Sequence, residues 1–135
     1  MVIDDAPNSD VGSIGSNNIM GWKLRGCVGV LTDATARDTD EIAAEKVPLY
    51  FRKVGRGIRP SRNELESVNR SIVCGGVSVE PGDIIVADGD SVIVVPRAHA
   101  KEVADTPEQC SRATKPVDVN YTKNLTCHLT IRCST

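Results

Sequence analysis

The segment from Gly26 to Glu41 constrains this chain more than any other. Cys27–Leu31 is an apolar run with the length of a buried strand, and it stops on turn-forming polar residues. Asp40 and Glu41 then open a helical-looking stretch, where acidic side chains complement the positive end of a helix dipole. A strand that hands over to a helix within a few residues is half of a β-α-β unit, and the flanking sequence supplies the rest. Met1–Asp4 begins apolar and reads as a strand already under way. Asp5–Asn18 is loop-like, rich in Gly, Ser, Asn and Asp. A helix is predicted over Asn18–Arg25, capped by Asn17 or Asn18 and closed by Lys23, Arg25 and Gly26. Strand Cys27–Thr32, helix Asp38–Glu45 and a short buried strand at Pro48–Phe51 complete the rhythm of a parallel sheet.

The second half has a different texture. Gly55–Asn63 is a Gly/Arg/Pro loop, and from Ser67 onward short strands alternate with turns. The predicted strands are Ser71–Cys74, Val77–Val79, Asp83–Ala87 and Ser91–Val95. Between them lie the turn markers Gly75-Gly76, Pro81-Gly82-Asp83 and Asp88-Gly89-Asp90. A last helix is expected at Ala98–Val103. The expected fold class is α/β, with a parallel βαβαβ first half and a β-rich second half. Only 3% of the residues are aromatic, so the core must be built from Val, Ile, Ala and Leu.

Residues 105–135 change character again, being rich in Thr, Ser, Asn and Cys, with a weak alternation at Leu125–Ile131. They are set apart as a divergent tail after a domain covering residues 1–104. At 135 residues the chain makes one domain with a modest core. A net charge of −2, with no dense basic cluster, argues against a nucleic-acid partner. Lys53, Arg56, Arg59 and Arg62 form the richest cationic stretch, without interleaved aromatics. No run approaches the roughly 20 apolar residues of a membrane span, and the N-terminus lacks a secretory signal pattern. Five cysteines (Cys27, Cys74, Cys110, Cys127, Cys133) follow no framework spacing, and Cys27 and Cys74 read as buried thiols. Cys127, His128 and Cys133 lack the second ligand pair of a zinc site. Sequons at Asn69, Asn120 and Asn124 carry no weight without an export signal. A reduced, cytoplasmic protein is expected.

Chemistry concentrates at Arg37-Asp38. A guanidinium offers planar donors for a carboxylate, and the adjacent aspartate can hold a hard divalent cation directly or through its waters. Such a pair is more often a surface ion pair at a helix start, so its surroundings decide. A loop that ends at a helix N-terminus presents unpaired backbone N–H groups to an anion, and Gly12–Asn18 supplies one. If the strands at Met1–Asp4 and Cys27–Thr32 are parallel neighbours, that loop and Arg37-Asp38 emerge at the same carboxyl edge.

Gly15-Ser16-Asn17-Asn18, followed by Gly-Val-Leu-Thr-Asp-Ala-Thr-Ala-Arg37-Asp38-Thr-Asp-Glu41, resembles the RraA-like family. The block from Glu66 to Asp88 and the closing Asp-Gly-Asp-Ser-Val-Ile-Val-Val-Pro96 are similar to it as well. The likeness runs from about residue 1 to 104. It implies a three-layer, swivelling β/β/α-type domain and membership among class II pyruvate aldolases. These cleave 4-hydroxy-4-methyl-2-oxoglutarate or related 4-hydroxy-2-oxo acids to pyruvate, with oxaloacetate decarboxylation as a side activity. By the same likeness, Arg37 binds the pyruvate moiety, Asp38 holds Mg²⁺ or Mn²⁺ and Glu41 supports them. Gly15, Ser16, Asn17 and Asn18 would contact the substrate carboxylate, and a homotrimer is implied.

Three departures stand out. Ser16 occupies the position, 21 before the arginine, where the family pattern has an acid. The family's N-terminal part is missing, so the chain looks truncated. The tail does not look like the family's C-terminal helix. The alternative is a catalytically weak or inactive RraA-like protein that regulates a ribonuclease by contact. No Gly-rich nucleotide fingerprint supports a methyltransferase. His99 and His128, the only histidines, receive no catalytic role.

Overall fold

The computed structural model describes residues 1–5, 12–58, 64–111 and 130–134, the stretches 107–111 and 130–134 as backbone only. The chain is a mixed α/β protein whose central sheet runs in the order Leu49–Tyr50, Val30–Thr32, Val2–Asp4, Thr130–Ser134, Glu64–Val68. Strands β1 (Val2–Asp4), β2 (Val30–Thr32) and β4 (Leu49–Tyr50) are parallel neighbours, with Val2 opposite Leu31 and Leu31 opposite Tyr50. Helices α1 (Ser16–Lys23) and α2 (Thr39–Ala44) connect them, so the predicted βαβαβ rhythm is present.

Strand alternation explains how two apolar clusters form on one short sheet, since successive side chains point to opposite faces. Ile3 and Val30 join Ile14, Ile19, Ile42 and Val47, the cluster shared with the helices. Their neighbours Val2 and Leu31 meet Ile72, Cys74, Val79 and Ile85 from the second half. All are aliphatic or sulfur-bearing, as the scarcity of aromatics requires.

The second half is built from hairpins. Strand β7 (Ile72–Cys74) pairs antiparallel with β8 (Val77–Val79), and β9 (Ile84–Ala87) with β10 (Val92–Val95). Gly75 and Gly76 both have positive φ, 60° and 85°. That is the backbone a two-residue turn needs to match strand twist, and glycine adopts it without a Cβ clash.

Several boundaries differ from expectation. The ladder of β2 starts only at Val30, whose N–H donates to Pro48 O at 2.9 Å, and Leu31 N–H donates to Met1 O at 2.9 Å. Two short strands missed in the sequence, β3 (Thr35–Ala36) and β5 (Lys53–Val54), pair in parallel. Strand β6 (Glu64–Val68) is not among the predicted strands, the first of which in this half is Ser71–Cys74. The last helix is longer than predicted. A 3₁₀ turn at Arg97–His99 leads into α3 (Ala100–Ser111). Strand β11 (Thr130–Ser134) lies between β1, parallel, and β6, antiparallel, so regular structure continues past residue 104. Asn120, Asn124, Cys127 and His128 lie outside the described residues, as do Arg59 and Arg62. Among the described residues no helix is long and apolar enough to cross a membrane.

Candidate functional site

Arg37 and Asp38 follow β3, not β2 directly. The chain leaves β2 at Thr32, whose Oγ1 accepts the Ala34 N–H at 3.2 Å, and bends into the two-residue strand. That strand carries the pair to the loop before α1. Ser13 N–H donates to Thr35 O at 3.1 Å and Arg37 N–H to Ile14 O at 2.9 Å, stitching the two segments side by side.

The side chains then converge. Asp38 Oδ2 accepts from Ser16 N–H at 3.3 Å and lies 3.5 Å from Ser16 Oγ. Arg37 Nε stands 3.8 Å from the same carboxylate oxygen. Glycine at two loop positions is what allows this approach. A Cβ on Gly12 would come within 2.9 Å of Arg37 Cβ. One on Gly15 would lie 2.6 Å from Asp38 Oδ2 and 2.9 Å from Arg37 Nε. Gly15 has φ −131°, open to any residue, so space and not backbone freedom selects glycine there.

This geometry revises the expected cap. Helix α1 starts at Ser16 behind Gly15, and no side chain of its own segment caps it. Asn17 and Asn18 are exposed in its first turn rather than capping it. The cap arrives from a distance as the Asp38 carboxylate, which satisfies one of the N–H groups left open at a helix start. Asp38 is itself the residue before α2 and sits in the left-handed region, φ 56° and ψ 35°. For a non-glycine residue that costs about 1 kcal/mol, least for Asp and Asn. Strain of this kind persists where neighbours hold the residue in place.

One guanidinium, one carboxylate, a buried serine and the N–H groups of the first turn of α1 therefore lie side by side. The side chains of Arg37 and Asp38 are 37% and 38% exposed, so a small solute can reach both. Glu41 is exposed in the first turn of α2, beyond the contacts described for the pair. Ser13 Oγ, on the same loop, is buried without a hydrogen-bond partner among the described residues. The sequence offered no signal for Ser13. A hydroxyl becomes informative only when packing strips it of partners. His99 lies elsewhere, exposed, with Nδ1 3.4 Å from Glu102 Oε2.

Among the described residues no three His, Cys, Asp or Glu side chains gather as a ready ligand set. The donors at the cleft fit a hard cation anchored through Asp38 alone and otherwise carried by water and substrate, as Mg²⁺ often is. They do not form an all-protein cage. The 3.8 Å contact to Arg37 Nε is long for a charge-assisted hydrogen bond.

An uncharacterised protein of Methanocaldococcus jannaschii, MJ0644, is 30% identical over 95 residues, covering 70% of this chain and 45% of that protein. A protein of Halalkalibacterium halodurans provisionally named 4-hydroxy-4-methyl-2-oxoglutarate aldolase is 31% identical over 105 residues, covering 76% and 49%. The chain thus spans about half the length of the curated relatives it matches. Among solved structures, RraAS2 of Streptomyces coelicolor superposes with a TM-score of 0.72 at 26% identity, over 83% of this chain and 58% of that one. It is described as an unusual member of the RNase ES inhibitor RraA protein family. The profile of the RraA-like family (Aldolase/RraA) matches residues 1–94. The chain belongs to the RraA-like family.

Proposed function

We propose that this chain carries the site of a divalent-metal-dependent lyase that releases pyruvate from 4-hydroxy-4-methyl-2-oxoglutarate or a related 4-hydroxy-2-oxo acid. Oxaloacetate decarboxylation is the accompanying side activity. The observation that carries this reading is the close approach of Arg37, Asp38 and the start of α1, where Gly15 leaves room for nothing larger than hydrogen. The name of the Halalkalibacterium relative points the same way.

In this mechanism Arg37 binds the 2-oxo acid carboxylate with its planar donors and fixes the orientation of the carbon chain. The open N–H groups in the first turn of α1, those of Asn17 and Asn18, share that anion, while Ser16 N–H stays on Asp38. Asp38 holds Mg²⁺ or Mn²⁺. When bound, the cation supplies Lewis-acid polarisation of the 2-oxo group. Ser16 can donate a hydrogen bond but is no base near neutral pH, so proton transfer falls to substrate hydroxyl and solvent. Glu41 contributes charge at the mouth. A homotrimer belongs to the same proposal, and light scattering that gave a clean monomer at micromolar concentration would remove it.

The test is coupled detection of pyruvate from oxaloacetate and from 4-hydroxy-4-methyl-2-oxoglutarate, with and without Mg²⁺, above a metal-only blank. Asp38→Ala is expected to lower metal-dependent release by about 100-fold or more, roughly 2.7 kcal/mol of barrier. Equal release by wild type and variant would refute the metal role of Asp38.

Ser16 favours one other reading, since it removes the acid that the family pattern places in the loop. The chain would then regulate a ribonuclease by contact, an activity named for the family of the Streptomyces neighbour. A folded wild type that releases no pyruvate from either substrate, yet co-elutes with an RNase E-type enzyme, would select this reading.

A further inference from the structure

A cavity of about 520 Å³ opens where β2 and β4 leave the sheet at their carboxyl ends. That volume lies within the range of small-molecule sites, and strand ends of a parallel sheet are where such sites form. None of Gly15, Ser16, Asn17, Asn18, Arg37 or Asp38 lines it. One side is aliphatic: Leu31, Val79, Val92 and Val94, all from the cluster beneath the hairpins.

The charges around it are divided between two walls. Arg52 extends from the end of β4, with Nε donating to Asp33 O at 3.0 Å and its backbone N–H to Ala34 O at 3.0 Å. That tether holds the guanidinium at the cavity, and its two terminal nitrogens make no hydrogen bond among the described residues. Asp88 and Asp90 stand on the turn between β9 and β10. Asp88 Oδ1 accepts the N–H groups of Asp90 and Ser91, both at 2.9 Å. Those bonds hold its carboxyl below the usual range, so it stays ionised, and they fix the turn that carries Asp90. Asp33 keeps its Oδ1 buried, without a hydrogen-bond partner among the described residues and out of a ligand's reach. Its Oδ2 accepts the Gly75 N–H at 3.1 Å, tying the sheet to the β7–β8 turn.

A simple anion would meet Arg52 but face Asp88 and Asp90. A simple cation would meet the aspartates but face Arg52. A molecule that carries both charges on an aliphatic body satisfies all three surfaces at once. We propose that this cavity binds a free aliphatic amino acid. Its carboxylate lies on the Arg52 fork, its ammonium toward Asp88 and Asp90, and its side chain on the Leu31–Val79–Val92–Val94 wall. The site is independent of the lyase reading, since occupancy is measured without any turnover.

The experiment is amide chemical-shift mapping of the full chain titrated with L-leucine, 4-methylpentanoate (no amine) and 3-methylbutylamine (no carboxylate). Leucine is expected to shift Thr32, Arg52, Gly75, Ser91 and Val92, and to bind about tenfold or more tightly than either half-ligand. Arg52→Gln and Asp90→Asn should each weaken leucine by about tenfold or more. Asp90 is exposed on a turn, so its variant reports binding without risk to the fold. The proposal is overturned by any of three results: no shifts with leucine, a half-ligand binding equally well, or shifts confined to Gly15–Asn18 and Arg37–Asp38.

Discussion

The parallel half and the hairpin half of this protein reach order by different routes. In the parallel half every ladder joins strands separated by a helix or a long loop, as Val2 with Leu31 and Leu31 with Tyr50. In the hairpin half Cys74 meets Val77 across two glycines, and Ala87 meets Val92 across one turn. The first arrangement brings distant residues together, and so the Arg37–Asp38 cleft lies there. The second rests on local turn chemistry and supplies a wall. Closing a long loop costs more chain entropy than closing a turn, so the parallel half depends more on its buried contacts.

That dependence can be tested by truncating one core side chain in each half. Ile19, fully buried at 0% exposure, packs α1 onto the parallel strands, and Ile19→Ala should cost about 2–5 kcal/mol in urea denaturation. Val79, at 2%, anchors the β7–β8 hairpin, and Val79→Ala should cost about 1–3 kcal/mol, since fewer methyl groups are lost. A larger loss at Val79 would break the comparison.

Gly15→Ala sharpens it from the side of the cleft. The added methyl has an allowed backbone but collides with Asp38 Oδ2 and Arg37 Nε. Pyruvate affinity should fall by about tenfold, roughly 1.4 kcal/mol, and displacing Asp38 from the Ser16 N–H should cost about 1 kcal/mol of stability. Unchanged affinity would mean that the pair does not form the binding surface. Gly76→Ala is the counterpart in the hairpin half, at φ 85°. It should cost about 1 kcal/mol of stability and leave pyruvate affinity unchanged.

The smallest effect is one of pH. Burial, reinforced by the charge of Asp33, pushes the Cys74 thiol from 9.0 up to about 11. Folding therefore favours the neutral thiol. Its contribution is fully present below pH 9.0 and is lost as pH rises through about 11. Cys74→Ser should flatten stability across that window. In the wild type at pH 8, Cys74 should react with iodoacetamide more slowly than the half-buried Cys27. Equal rates would contradict the burial of the second cluster.

The sequence by itself determined the alternation of the first half, the positions of the four hairpin strands and the family. Those signals are local: apolar runs, turn residues, and two blocks in a fixed order. It also singled out Arg37-Asp38 and the glycine-rich loop, because a cation beside an anion after a strand is visible in linear order. It missed β3 and β5, two residues each, because such short pieces have no period to detect, and it missed β6, whose Glu-Leu-Glu-Ser-Val carries few apolar residues. It placed the α1 cap at Asn17 or Asn18, where local rules put it. Tertiary structure assigned that task to Asp38, because a carboxylate brought across by β3 meets the open Ser16 N–H. Ser13 and the Arg52–Asp33 tether belong to the same class. Their roles arise from which polar atoms packing leaves paired or unpaired, and no linear pattern encodes that.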